Sequence, residues 1–257
     1  MSEVAVKTEE KPKIAEFLAV ASRRLWQQVF TVAAVVGKEV ALRAVAEGLA
    51  VRAMDPSHVM LLQLTAPREV FVEYSVEAEG MAGVIVPKVR CVLRRFGREE
   101  LTVRAADEKL EIRGERKRFK LPLMEVTADE EIPEPKVEFT AELKLLSKPL
   151  LAAVEDSRLV SDHVRFEYGD EKLTVKAVGD LGEAENVFNT SEVLLEAGGD
   201  ACKATFSTTF LRDVLKAVAD LSEVVEIRLA TDMPLFLSAQ SPQGLEVEVW
   251  IAPCVGV

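Results

Sequence analysis

Cysteine is scarce in this 257-residue chain: Cys91, Cys202 and Cys254 are odd in number and widely separated. They supply neither a disulfide framework nor a zinc ligand set, and they fit a reducing compartment. Histidine is scarcer still. Neither His58 nor His163 has a second His, a Cys pair or an HExxH spacing nearby, so no metal is expected. Long apolar runs are missing too. The longest, Val29 to Val36, is too short to span a bilayer, and five Lys/Glu charges crowd positions 7–13. The expectation is a cytosolic protein with no membrane partner. Phosphate-binding loops are also absent: GDLGE at 179–183 and AGGD at 197–200 are followed by neither GK[ST] nor a GxGxxG pattern. They read as turns, and no nucleotide or other cofactor is expected.

What remains is ample material for burial. Hydrophobic residues make up 49% of the chain and charged residues 29%, which suits a globular protein with one large or two medium cores. An internal repeat decides for two. Leu49, Val51, Arg52, Ala53 and Met54 recur as Leu173, Val175, Lys176, Ala177 and Val178 at a spacing of about 124 residues, preserving strand alternation. Arg90, Val92, Leu93 and Arg94 recur as Arg212, Val214, Leu215 and Lys216 at a spacing of about 122, preserving a helical face.

Periodicity gives each half the same plan. In the first, helices are expected at 22–36 and 87–96, with strands at 38–45, 49–54, 58–64, 100–105 and 108–113. In the second, helices are expected near 147–158 and 208–218, with strands through 163–178, 186–196, 224–230, 234–239 and 245–251. The fold class is α+β: two repeated domains, each with two helices packed on antiparallel sheet. The boundaries read as a polar extension at 1–12, an N-terminal domain at 13–121, a linker at 122–138 and a C-terminal domain at 139–257. Pro122, Pro133, Pro135 and five acids between Glu125 and Glu134 mark the linker as extended and exposed.

The formal net charge is −11, and such a chain, taken whole, should repel nucleic acid. The charge is unevenly spread. Residues 86–98 hold Lys88, Arg90, Arg94, Arg95 and Arg98 and no acid; Arg23 and Arg24 open the first helix; Arg212 and Lys216 outweigh Asp213; Lys148 and Arg158 cancel Glu155 and Asp156. The four helices together carry +8, which leaves −19 for everything else. Arg90 with Arg94, and Arg212 with Lys216, stand four apart on one helical face, opposite the apolar stripe, at corresponding points of the repeat. A basic helix face of this kind binds phosphate backbones through counterion release without reading sequence.

At MDPSHVMLLQL (54–64) and LVSDHVRFEYGDEKLTVKAVGDLGE (159–183) the chain closely resembles the sliding clamp family of the proliferating cell nuclear antigen type, in its archaeal form. Ile132-Pro133-Glu134 in the linker and the terminal Ala252-Pro253 resemble that family as well, and the likeness covers the chain from about residue 13. It implies a ring of three identical or sister subunits, helices lining a hole through which double-stranded DNA passes, and a location in the archaeal cytosol at the nucleoid. DNA would be met by Arg23, Arg24, Lys88, Arg90, Arg94, Arg95, Lys148, Arg212 and Lys216. Rings would close by pairing an edge strand near 108–118 with one near 186–196 of the next subunit, Arg113, Arg116, Lys117 and Arg118 facing Glu192 and Glu196. Partners, namely DNA polymerase, flap endonuclease, DNA ligase and a clamp loader, would insert a short hydrophobic peptide into a groove of Met54, His58, Ile132, Pro133, Pro234, Leu235, Ala252 and Pro253. The implied role is a non-enzymatic processivity factor.

Some positions depart from the family pattern. Gln27, Gln28, Ala34, Ala152 and Glu155 fall where many members carry Lys or Arg, and the tail after Pro253 is apolar. Those features, with the N-terminal extension, would suit one specialised subunit of a mixed ring. Two other functions stay open at this point: a scaffold of the same fold that never encircles DNA, and a hydrolase using Asp55, His58 and Asp180.

Overall fold

The computed structural model describes residues 13–126, 132–190 and 193–256. The 1–12 extension, residues 127–131 of the linker, and Glu192 lie outside the described residues. Alternating burial of Phe17, Ala19 and Ala21 lays down β1 (Glu16–Ser22), and its last residue caps α1 (Arg23–Ala33): Ser22 Oγ accepts from the Leu25 amide at 3.2 Å. The first half continues with β2 (Glu39–Val45), β3 (Gly48–Met54), β4 (Met60–Pro67), β5 (Glu73–Ala78) and β6 (Gly80–Ile85). It ends with α2 (Val86–Leu93), β7 (Glu100–Ala106), β8 (Lys109–Arg113) and β9 (Arg118–Pro122). The second half opens with β10 (Ala141–Leu146), α3 (Ser147–Arg158), β11 (His163–Gly169), β12 (Lys172–Gly179), β13 (Gly182–Asn189) and β14 (Leu194–Gly199). It closes with β15 (Cys202–Ser207), α4 (Thr208–Ala219), β16 (Val224–Leu229), β17 (Leu235–Gln240) and β18 (Glu246–Ile251). Strand by strand and helix by helix, the order is the same in both halves.

Several elements differ from the sequence expectation. Strands β1, β5, β6, β9, β10 and β15 are additional. Residues 108–118 are two strands with a turn at 114–117, and 186–196 spans the end of β13 and the start of β14. Helix α2 ends at Leu93, with Arg94–Phe96 turning out of it. The expected strand start at His58 is a turn, where that residue takes φ 58° in the left-handed region.

All neighbouring strands of the three sheets pair antiparallel. One sheet runs β5-β1-β7-β8-β9, another β13-β12-β11-β15, and a third β14-β10-β16-β17-β18-β4-β3-β2-β6. Replacing each strand by its counterpart in the other half turns the first two orders into the two parts of the third. The nine-stranded sheet is therefore a five-strand set from the second half joined edge to edge to a four-strand set from the first. The join is β18 on β4, from Glu246 opposite Thr65 to Ile251 opposite Met60. The counterparts of these two joining strands, β9 and β13, are left as sheet edges.

The helices gather on one side of the sheets. Trp26 and Phe30 of α1, Leu93 of α2, Leu150 and Val154 of α3, and Leu211 and Leu215 of α4 are buried in one continuous apolar core. Helix α1 packs on α2, α3 on α4, and α1 also meets α4 across the two halves. There Gln28 Nε2 donates to the Asp220 carbonyl at 3.4 Å.

Candidate nucleic-acid interface and docking groove

Because the apolar stripe of each helix faces the sheets, its basic residues face outward. Arg24, Arg90, Arg94, Arg95, Lys148 and Lys216 are exposed, and Arg23 and Arg212 are half-buried. Arg24 from α1 and Arg90 and Arg94 from the α2 segment surround one open depression of about 410 Å³, with Gln27, Gln28, Thr31, Ala217 and Asp220 completing its wall. Three arginines from two helical segments thus line it, Arg94 with its Nε donating back to the Arg90 carbonyl at 3.3 Å. A carboxylate of the same depression, Asp220, sits at its α4 side.

The remaining cations are distributed more widely. Arg212 is bound to its neighbour Asp213 at 2.7 Å, so its charge is half spent inside the helix. Lys88 lines a separate hollow with Leu110, Leu121 and Pro122, on the β9 side of α2. The Arg95 carbonyl accepts from Lys117 Nζ at 2.6 Å, which ties the end of α2 to the β8–β9 turn. On α3, Lys148 shares the exposed surface with Ala152, Glu155 and Asp156.

On the nine-stranded sheet, strand alternation builds a second feature. Met60 and Leu62, Leu235 and Leu237, and Val249 and Ile251 enter the main core, so Leu61, Phe236 and Trp250 between them point to the other face. These three form a separate apolar cluster, and Met54, Ile132 and Phe139 pack on it half-buried. The Phe236 ring lies 5.0 Å from Trp250 and 6.1 Å from Phe139, centroid to centroid, and the Arg228 guanidinium stands 5.2 Å over Phe236. Arg52 fastens the linker across this cluster: its Nε and a terminal nitrogen donate to the Ile132 carbonyl at 3.1 and 2.9 Å, and its other terminal nitrogen reaches Gln63. Around the cluster the sheet is acidic. Burial, with Glu134 and Glu246 nearby, pushes the Glu248 carboxyl above its usual range, while Arg52 and Arg228 oppose the shift.

Of the expected groove residues, Met54, Ile132, Pro234, Ala252 and Pro253 are half-buried, while Pro133 and His58 are exposed. Leu235 does not belong to this face. It is fully buried in the main core, and its neighbour Phe236 takes the groove side. Leu61, Phe139, Trp250 and the anchoring Arg52 are additions to the expected set, although the parity of MLLQL in β4 and EVEVWI in β18 carries the signal.

Asp55, the residue after Met54, serves the turn that leads into β4. It is 5% exposed, and its carboxylate accepts from the amides of Ser57 (2.8 Å), Val59 (2.8 Å) and Met60 (2.6 Å) and from the Ser57 hydroxyl. Burial alone would raise its pKa. The bonds from Ser57, Met60 and Val59 outweigh burial and hold it below its ordinary value. A carboxylate so fully engaged is a turn cap rather than a proton carrier, and Asp180, its expected companion, is exposed in the turn between β12 and β13.

The residues expected at a subunit contact are divided among several strands. Arg118 lies on the edge strand β9, Arg113 is opposite it on β8, and Arg116 and Lys117 form the turn between them. Glu196 is on β14, in the other sheet from β13, and is bonded to Lys144 of its own neighbouring strand at 3.4 Å. The acids on edge strand β13 are Glu183 and Glu185, both exposed. The strand expected from residue 186 begins too late to include them.

Comparison with known proteins agrees with this geometry. The family model described as proliferating cell nuclear antigen, N-terminal domain, matches residues 23–131, and that described as its C-terminal domain matches residues 131–254. A DNA polymerase sliding clamp of Thermofilum pendens is 31% identical over 237 residues, covering 90% of this chain and 95% of that protein. The crystal structure of PCNA from Thermococcus kodakaraensis superposes with a TM-score of 0.86 at 31% identity, over 93% of this chain and 100% of that one. A. fulgidus PCNA bound to the C-terminal region of FEN-1 shares the fold, with a TM-score of 0.85 at 21% identity, over 94% of this chain and 99% of that one.

Proposed function

The chain belongs to the proliferating cell nuclear antigen family, and on that premise we propose that it is a subunit of a DNA sliding clamp, a ring that encircles duplex DNA and recruits replication and repair enzymes. The observation that supports this best is that Arg24, Arg90 and Arg94 line one depression on the helix side of a chain whose net charge is −11. Phosphates are neutralised there by displacing counterions, which needs no base contact and lets the duplex slide. The acidic remainder keeps DNA from the outer surface. Arg23, Arg95, Lys148, Arg212 and Lys216 extend the contact more weakly, and Lys88, turned toward β9, contributes least. The clamp domains divide at the 122–138 linker.

Recruitment takes place on the opposite face. A partner's apolar anchor seats on Leu61, Phe236 and Trp250 between Met54 and Ile132, with His58, Pro133, Pro234, Ala252 and Pro253 around it. Polymerase, flap nuclease, ligase and clamp loader are the expected partners, and the loader supplies the ATP chemistry for which this sequence has no Walker motif. The cell interior, at the nucleoid, is where such a ring acts.

Primer extension on singly primed circular DNA, with loader and polymerase, tests this reading. The chain should lengthen products on the circle and lose most of that effect when a free end is created by linearisation. Replacing Arg24, Arg90 and Arg94 together by Ala should lower DNA-dependent stimulation and flatten its dependence on salt by roughly 0.9 in the log–log slope for each phosphate no longer neutralised. Equal stimulation on linear and circular templates would refute encirclement.

A further inference from the structure

Beside the depression lined by Arg24 lies a second one, an open hollow of about 420 Å³ between the end of α1, the start of α2 and the first turn of α4. Much of its wall is apolar: Val35 and Phe210 stand half-buried, and Pro56 and Pro87 are exposed at the rim. Its charged residues are Lys38, Arg90, Arg94 and Asp55. Resting on the clamp reading above, we propose that this hollow is a second docking site for recruited proteins, and that it takes a peptide segment with one aromatic or branched apolar side chain flanked by acidic residues.

The charge balance selects an acidic occupant. Both carboxylate oxygens of Asp55 are engaged within its own turn, by the amides of Ser57, Val59 and Met60 and by the Ser57 hydroxyl, so that acid has little left to offer a ligand. Among the described residues, Lys38, Arg90 and Arg94 form no salt bridge, and carboxylates of an incoming chain supply the missing counter-charge. The wall selects an apolar one. The sugars and phosphates of a duplex carry no group that displaces water from Phe210 and Val35, whereas a peptide side chain does. The volume lies within the roughly 300–1,000 Å³ of pockets that hold small ligands. The seat is also preformed: the Val86 amide donates to the Lys38 carbonyl at 2.9 Å, which holds the turn after α1 against α2, so little ordering is left for binding to supply.

Position ties the hollow to both activities of the chain. Met54 packs on the Leu61–Phe236–Trp250 cluster, and the next two residues, Asp55 and Pro56, wall the hollow, so the Cα atoms of Met54 and Pro56 are at most about 7 Å apart. A partner anchored at the groove reaches the hollow without releasing its anchor, and the second contact forms at high effective concentration. On its other side the hollow shares Arg90 and Arg94 with the first depression. Those two side chains cannot serve a peptide carboxylate and a DNA phosphate at once. An occupied hollow therefore loosens the hold on the duplex, and the duplex weakens the peptide by the same factor.

The probe is a fluorescein-labelled peptide with one phenylalanine between two short runs of glutamate, titrated with the full chain and followed by anisotropy. Saturable binding is expected, weakening at least about tenfold between about 50 and about 500 mM salt. Lys38→Glu and Phe210→Ala should each weaken it about tenfold, and Lys38 is exposed, so its replacement does not disturb folding. Arg90→Ala with Arg94→Ala should weaken peptide binding and polymerase stimulation on primed circles together. Equal binding of a peptide with alanine in place of phenylalanine overturns the proposal, as does unchanged binding by Lys38→Glu and Phe210→Ala. A single-stranded oligothymidylate that binds through Phe210 where the peptide fails overturns it too. Each of these results leaves stimulation on circles, and with it the clamp reading, intact. Peptide binding as expected by a chain that stimulates equally on linear and circular templates keeps the docking site and refutes encirclement.

Discussion

Replacing Asp55 tests how the turn between β3 and β4 is held. Its carboxylate collects three backbone amides and one hydroxyl within the five residues that turn into β4. Hydrogen bonds to a charged group are worth roughly 1.5–3 kcal/mol each when a partner is removed. They are not additive here, because the turn is exposed at Pro56–His58 and water can reach part of it. Asp55→Ala should cost about 3–5 kcal/mol, and Asp55→Asn about 1–2 kcal/mol, since one amide oxygen still serves Val59 and Met60 while its NH2 group faces the Ser57 donors. Urea unfolding of the three proteins at neutral pH measures both.

The pH dependence has a definite sign. A carboxyl whose pKa is lower folded than unfolded gives stability that is full above the unfolded value of about 3.8 and is lost as pH falls through the folded value. The difference between the native chain and Asp55→Ala should therefore be flat from neutral pH to about 5 and shrink in acid. A cost below about 1 kcal/mol, or a difference that grows on acidification, would refute the capping role.

Two further outcomes follow from the packing. Ile132→Ala removes a half-buried side chain that covers the Leu61–Phe236–Trp250 cluster; it should weaken binding of an apolar partner peptide about tenfold, by calorimetry, while shifting unfolding by no more than about 1 kcal/mol. Gly179→Ala should lower stability by several kcal/mol in thermal unfolding, because a Cβ there would overlap the Val160 carbonyl oxygen, which is backbone and has no easy escape.

The helices are legible in the sequence because each has one apolar stripe of period 3.6 and a partner at the matching point of the repeat. Strands are legible where alternation is sharp, as in β3 and β12. They are hidden where an apolar run flows straight into a helix (β1), where a six-residue strand abuts a helix and its alternation passes into helical spacing (β10), where glycine dilutes the pattern (β6), or where a short charged edge has one neighbour only (β9). The same weakness explains the site. Met54 and Ile132 could be placed, but LFL in β17 has no alternation to separate the core-facing Leu235 from the outward Phe236, and the β13 acids precede the point where that strand's pattern becomes readable. Which arginines converge on one depression depends on how α1, α2 and α4 pack, and no local pattern encodes that.

The joint between the halves and the two free edges that correspond to it share a backbone plan and differ in what stands on it. Where the joint sets Leu61 beside Trp250, the equivalent positions on the two free edges are Glu183 and Lys120, with Glu111 in the place of Phe236. Doubling the scaffold therefore did not double the seat. Among the described residues the greasy berth stands on the joint alone, so an occupant of that sheet face finds one seat per polypeptide where the backbone plan would have allowed two.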